Sequence, residues 1–196
     1  MDVTDRRAPG AREAILQAAT ALIRDRGVAG TSISDVIAAS GTSAGAIYHH
    51  FGSKERLVLE VGRGAMAVPM GMIMSTSTGL SPAELFEAAL NRVTEDDTTP
   101  ELLLQIWAGA KSEPLLWELL KGEVGTVKAS IVSFIHGWCE AHAPGADASA
   151  IANVIMSLIT GYAVQRGLGL AVDQVAYRDL GVRMLRAALA GTPAAS

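Results

Sequence analysis

Cysteine is almost absent from this chain: Cys139 is the only one, so an internal disulfide framework is excluded and a reducing compartment suits the protein. Aromatic residues are scarce at 5%, and β-branched runs are short. With Ala, Leu and Gly dominant, this argues against a sheet-built core and for helices interrupted at some of the twenty glycines. No uninterrupted apolar run reaches the ~20 residues that a membrane helix requires, and the polar start MDVTDRRAPGAR does not resemble a secretory signal. G-x-S-x-G, H-E-x-x-H and P-loop motifs are missing, which leaves no catalytic constellation. The expectation is an all-α, cytoplasmic protein with no membrane association, no cofactor and no enzymatic activity, and its 49% apolar content is ample for a core.

Charge is also short on one sign. The net value is −4, yet residues 1–60 balance seven basic against seven acidic side chains, so the whole deficit falls on the later part. An acidic body of this kind would be held away from a polyanion while a neutral N-terminal part approaches it.

The most informative stretch runs from Thr31 to Leu57. Ser32 and Asp35 form an S-x-x-D capping box, which starts a helix, and Gly41 ends it after about two turns because glycine takes the left-handed conformation cheaply. After Thr42 and Ser43 a second short helix follows, in which Ile47 and Phe51, four apart, reach the same core as Val36 and Ile37. Its other face carries Gly45, Tyr48 and His49: small residues at the start allow close approach, and polar tips at the end can donate to phosphate oxygens. Ser53 then caps a third helix.

Upstream, residues 1–10 contain Arg6, Arg7, Pro9 and Gly10 without an apolar period and read as a flexible basic arm. Ile15, Ala19, Leu22 and Ile23 define a helix from Ala11 to Arg26, stopped by Gly27. Downstream, a Met-rich run is broken by Pro69, residues 75–82 read as a loop, and Ser81-Pro82-Ala83-Glu84 is a capping box with proline at the favoured first position. Further helices are expected from about Pro100, from Leu115 to His142, and around Ile151–Tyr162 and Val175–Leu189.

Taken in order, the Arg12 helix, the G-T-S turn and A-I-Y-H-H-F-x-S-K-E-x-L resemble the N-terminal domain of TetR-like transcriptional repressors, over Arg12 to about Val61. The resemblance implies a helix-turn-helix domain at 11–56 and a helical effector-binding and dimerisation domain at 57–196. It also implies DNA contact by Thr31, Ser43, Ala44, Gly45, Ala46, Tyr48, His49, His50 and Lys54. Ala44 and Ala46 stand where many relatives carry Lys and Thr, so side-chain hydrogen bonding to bases is reduced there and selectivity leans on DNA shape and the arginine arm. One short recognition helix covers a half-site, so a homodimer on palindromic double-stranded operator DNA is expected, with readers about 34 Å apart.

Pairing of the last two helices with their copies would use Ile155, Leu158, Tyr162, Leu180, Met184, Leu185 and Ala188. Met66, Met70, Phe86, Leu103, Trp107, Trp117, Phe134, Trp138 and Met156 could line a cavity for an apolar or amphipathic small-molecule effector, although apolar spacing alone also describes plain core packing. Two patterns are set aside. His136-x-x-Cys139-x-x-His142 lacks a second ligand cluster for zinc, and Gly62-Arg63-Gly64-Ala65-Met66-Ala67 matches a dinucleotide fingerprint but follows a helix and not a strand. A helical carrier without DNA function, or a small helical enzyme, are the competing classes. The first predicts no salt-dependent duplex binding, and the second a titratable cluster in a pocket.

Overall fold

A computed structural model describes residues 10–64, 79–94 and 98–190. Met66, Met70, the Pro69 break, residues 1–9 of the N-terminal arm, the first half of the 75–82 loop and the Gly191-Thr192-Pro193 terminus lie outside the described residues. The described residues form helices throughout: α1 (Ala11–Arg26), α2 (Ile33–Ser40), α3 (Ala44–Phe51), α4 (54–64), α5 (Pro82–Thr94), α6 (Thr98–Ala110), α7 (Pro114–His142), α8 (Ala148–Gly167) and α9 (Gln174–Ala190). Among the described residues the regular structure is all helical, as the composition implies.

Most of these helices begin on a side-chain cap. Ser32 and Asp35 form the reciprocal box before α2, Ser43 Oγ accepts from Ala46 N at 3.2 Å before α3, and Ser53 Oγ accepts from Arg56 N at 3.2 Å before α4. Ser81 and Glu84 repeat the box before α5. Two caps escaped the sequence reading: Asp147 accepts from Ser149 N and Ala150 N ahead of α8, and Asp173 accepts from Ala176 N ahead of α9. Gly41 ends α2 in the left-handed region at φ 66°.

Two cores result. The first joins Ile15, Ala19 and Ile23 of α1, Val36 of α2, Ile47 and Phe51 of α3 and Leu57, Val58, Leu59 and Val61 of α4 to Leu102, Ile106 and Ala110 of α6 and Leu116 and Leu120 of α7. The second is built by α5, the C-terminal half of α7, α8 and α9 around Phe86, Ile135, Ile155 and Tyr162. The bridging helix α7 serves both. α8 is the described helix that is long and apolar enough to cross a membrane by length and composition. It packs against α5, α6 and α7 with Tyr162 fully buried, while Val154 is exposed.

Close approach between the first core's layers depends on Gly109 of α6. A Cβ there would sit 2.5 Å from Val28 Cβ, in the turn after α1. Polar contacts link α1, α4 and α7: Arg12 donates to Glu60 at 2.7 Å, Arg63 donates to Glu60 at 2.6 Å, and the other arm of Arg63 donates to Glu123 of α7. These bonds hold the Glu123 carboxyl below the usual carboxylate range and raise the Arg63 pKa.

Three expectations follow for stability. Gly109→Ala should lose about 1–3 kcal/mol by overpacking Val28 in urea titrations. Gly122→Ala, at an exposed position in the interior of α7 with open space around it, should gain about 0.5–1 kcal/mol. Because the folded Glu123 pKa is depressed, the stabilisation is present above the unfolded value and is lost as pH falls through the folded one. Thermal melts of Glu123→Gln should therefore lie below the parent protein at neutral pH, and the gap should close as acid carries the carboxylate through its depressed folded pKa.

Candidate nucleic-acid interface

A helix of two turns has too few internal hydrogen bonds to hold itself, so the position of α3 is set by what it buries. Ile47 is fully buried and Phe51 nearly so, against Val36 of α2 and Ile15, Ala19 and Ile23 of α1. The Arg12 guanidinium lies 5.6 Å over the Phe51 ring, which adds a cation–π contact at the helix end. With that face fixed inward, Ala44, Gly45, Tyr48 and His49 are exposed on the other, and Tyr48 is 54% exposed. The exposed side is small at its N-terminal end and carries a phenol and an imidazole further on.

The remaining residues named for DNA contact are placed as follows. Ser43 is exposed at the N-terminus of α3, its hydroxyl accepting from Ala46 N. Ala46 is half-buried against the first core, so it offers little surface. His50 is exposed with its ring edge-on to His49 and Phe51, at 5.1 and 6.1 Å between centroids. Lys54 is half-buried at the first position of α4, beside a helix N-terminus that favours phosphate. Thr31 needs correction: it is buried, and its hydroxyl donates to Gly27 O at 2.8 Å, which pins the turn between α1 and α2 and leaves nothing to present outward. Near α2, Asp35 is held below the usual carboxylate range by hydrogen bonds from the Ser32 side chain and backbone and by Arg26, 3.9 Å away.

The seven described residues of the nine named for an effector do not converge on one enclosed site. Phe86 is fully buried, and its ring edge covers Gly181, where a Cβ would come within 2.5 Å. Leu103 is buried and Trp107 packs on the first core. Trp117 is at the surface, with Lys111 Nζ 4.9 Å from its ring centroid. Phe134, Trp138 and Met156 lie half-buried against the second core, where Trp138 stacks on His142. The interface set divides too. Ile155, Tyr162 and Leu185 are buried within the chain's own second core, Tyr162 beside Tyr177 and bonded to Arg166, so a partner cannot reach them. Leu158 is half-buried, whereas Leu180, Met184 and Ala188 are exposed. Val154 and Val175, on the same two helices but outside that set, are exposed as well. Among the described residues no group of three His, Cys, Asp or Glu side chains could hold a metal, and burial pushes the Cys139 thiol pKa up.

Known proteins agree with this geometry. Residues 15–61 match the family described as bacterial regulatory proteins, tetR family. The HTH-type transcriptional repressor Rv3405c of Mycobacterium tuberculosis is 42% identical over 95 residues, 45% of this chain and 48% of the relative. The HTH-type transcriptional regulator LmrA of Bacillus subtilis is 35% identical over 113 residues, 53% of this chain and 60% of the relative. The chain thus spans about half the length of the curated relatives it matches. Whole-chain likeness extends to solved structures. GusR of Salmonella enterica superposes with a TM-score of 0.71 at 23% identity over 92% of this chain and 95% of that one. A transcriptional regulator from Rhodococcus sp. Rha1 gives 0.72 at 18% identity over 94% and 100%. At such identities the structures establish the fold, and the sequence match identifies residues 15–61 as a helix-turn-helix segment of the tetR family of bacterial regulatory proteins.

Proposed function

We propose that the protein acts in the bacterial cytoplasm as a homodimeric repressor that binds palindromic operator DNA and is released by a small apolar or amphipathic effector. The observation that carries this reading is α3: a side-chain-capped recognition helix whose apolar face is locked inward and whose opposite face, from Ala44 to His49, is free for a DNA groove. Lys54 and Tyr48 are its phosphate anchors. Ala44 and Gly45 at the leading edge limit direct readout to close backbone approach and contact with thymine methyls, so half-site spacing and groove shape take a larger share of selectivity.

A second reader comes from a second copy. Val154 of α8 and Val175, Leu180 and Met184 of α9 are large apolar side chains that the single chain leaves exposed, and covering them with a symmetric copy removes that surface from water. The effector enters beside Phe134, Trp138 and Met156 at the second core and shifts the dimer between two reader spacings of different operator affinity. Only a molecule that binds the two spacings unequally can act in this way.

Selection of bound duplexes from a random pool, with and without extracted metabolites, tests the whole reading. An inverted repeat whose recovery falls when metabolites are added is the expected result, and recovery of no duplex above background would overturn it. Lys54→Ala should weaken binding to all duplexes alike and reduce the slope of log affinity against log salt by about one, as measured by fluorescence anisotropy. Ala44→Lys should change the selected half-site, since it adds donors at the leading edge. Leu180→Glu should shift the protein to monomer in sedimentation velocity and lower operator affinity on the order of tenfold or more, because a lone half-site contact loses the linked second one.

A further inference from the structure

The far end of α3 carries two adjacent imidazoles. His49 and His50 are both exposed, their ring centroids 5.1 Å apart and their planes at 66°. Histidine is the side chain whose ordinary charge change falls between pH 5 and 8, so a pair of them on a binding face makes the charge of that face depend on pH.

Neither ring has a carboxylate partner among the described residues, in contrast to His136 of α7, whose Nε2 lies 3.6 Å from Glu140. Every described acid of α1, α2 and α4, the helices around α3, is engaged elsewhere. On α1, Glu13 accepts from Gln17 and Asp25 pairs with Arg24; on α2, Asp35 accepts from Ser32 and lies 3.9 Å from Arg26. On α4, Glu55 is hydrogen-bonded to Ser53, and Glu60 accepts from Arg12 and Arg63. The other groups around the pair are the Tyr48 phenol on α3 itself and cations: Arg12 over the Phe51 ring, Lys54 at the start of α4, and Arg56 and Arg63, which share a cleft with His50. An imidazolium on this face therefore finds its counter-ion on a duplex, which presents one negative charge per about 1.7 Å of axis. A phosphate close to an imidazole favours the protonated form.

We propose that DNA binding by this reader takes up protons at His49 and His50, so that affinity for a duplex rises as pH falls. Two imidazoliums 5.1 Å apart repel each other, so the first proton enters the pair more readily than the second. The inference rests on the reading of α3 as the DNA-binding helix and adds to it a sensitivity of the reader to the acidity of its surroundings.

The test is binding of the full chain to a mixed-sequence duplex of about 20 base pairs at low salt, followed by fluorescence anisotropy from about pH 6 to about pH 8. Roughly tenfold tighter binding at the acid end is expected for the parent, because one pKa unit of preference for the bound imidazolium is a factor of ten. The net charge of −4 also becomes less negative toward acid, so the deciding comparison is with the double variant His49→Gln, His50→Gln, in which the change should shrink to about threefold or less. Each single variant should keep part of it. Calorimetric titrations in buffers of different ionisation enthalpy count the protons directly: about half to one per reader near pH 7 for the parent and close to none for the double variant. His136→Gln, remote in sequence on α7, should keep the parent's pH dependence. Both imidazoles of α3 are exposed, so melts of the variants by circular dichroism should match the parent. Equal affinity across the pH range, or a pH dependence and proton count that the double variant retains, overturns the proposal and leaves α3 as the reader. Failure to bind any duplex at any pH overturns the reader, and the proton linkage with it.

Discussion

Ile47 and Phe51 are anchored against α1 and α2, and the exposed face of the protein follows from that contact. Eight residues of helix are too short to be stable by their own hydrogen bonds, so the orientation of α3 is a property of the core beneath it. Every fully buried aliphatic side chain there contributes on the order of 2 kcal/mol. Rotation of α3 by one residue would bring Tyr48 into the core and Ile47 into water, which is why Tyr48 and His49 keep a defined outward direction without a partner holding them. The cap at Ser43 fixes where the helix begins, and the buried pair fixes which way it faces.

Beneath the apolar contacts runs a line of charge. Glu123 of α7, Arg63 and Glu60 of α4, and Arg12 of α1 bond in sequence, and Arg12 ends over the ring of Phe51. Glu60 and Glu123 are only about a quarter exposed, so these pairs are less screened than open surface pairs. A displacement of α7 therefore cannot leave α4 and α1 untouched. The same helix also supplies Ile131, Ile135 and Cys139 to the second core, so one continuous rod of 29 residues touches both halves of the molecule.

Much of the architecture was readable before the coordinates because its instructions are local. Ser32, Ser81 and Gly41 act over three or four residues, and the spacing of Ile15, Ala19 and Ile23 declares a face directly. Asp147 and Asp173 are caps of the same local kind and were legible but overlooked. Other features were not in the sequence in that sense. Thr31 sits where a turn residue could face either way, and only the position of Gly27 O decides that its hydroxyl turns inward. α8 is apolar on nearly every side, so periodicity could not tell Tyr162, which is enclosed, from Val154, which is not. The partners of Arg12 and Arg63 lie 48 and 60 residues away, and no short-range pattern encodes them. Among the described apolar residues grouped as one cavity lining, Trp107 packs on the first core, Phe86, Phe134, Trp138 and Met156 on the second, and Trp117 lies at the surface, for the same reason.

The reader has no floor of its own. Leu102, Ile106 and Ala110 of α6 and Leu116 and Leu120 of α7 close the underside of the three-helix unit, and Gly109 lets Val28 settle onto it. For anyone exchanging DNA-binding heads between relatives, or for evolution doing so by recombination, a crossover after α4 would leave the transplanted head seated on a foreign surface. The workable graft is a discontinuous one, in which the head travels together with the matching faces of α6 and the start of α7.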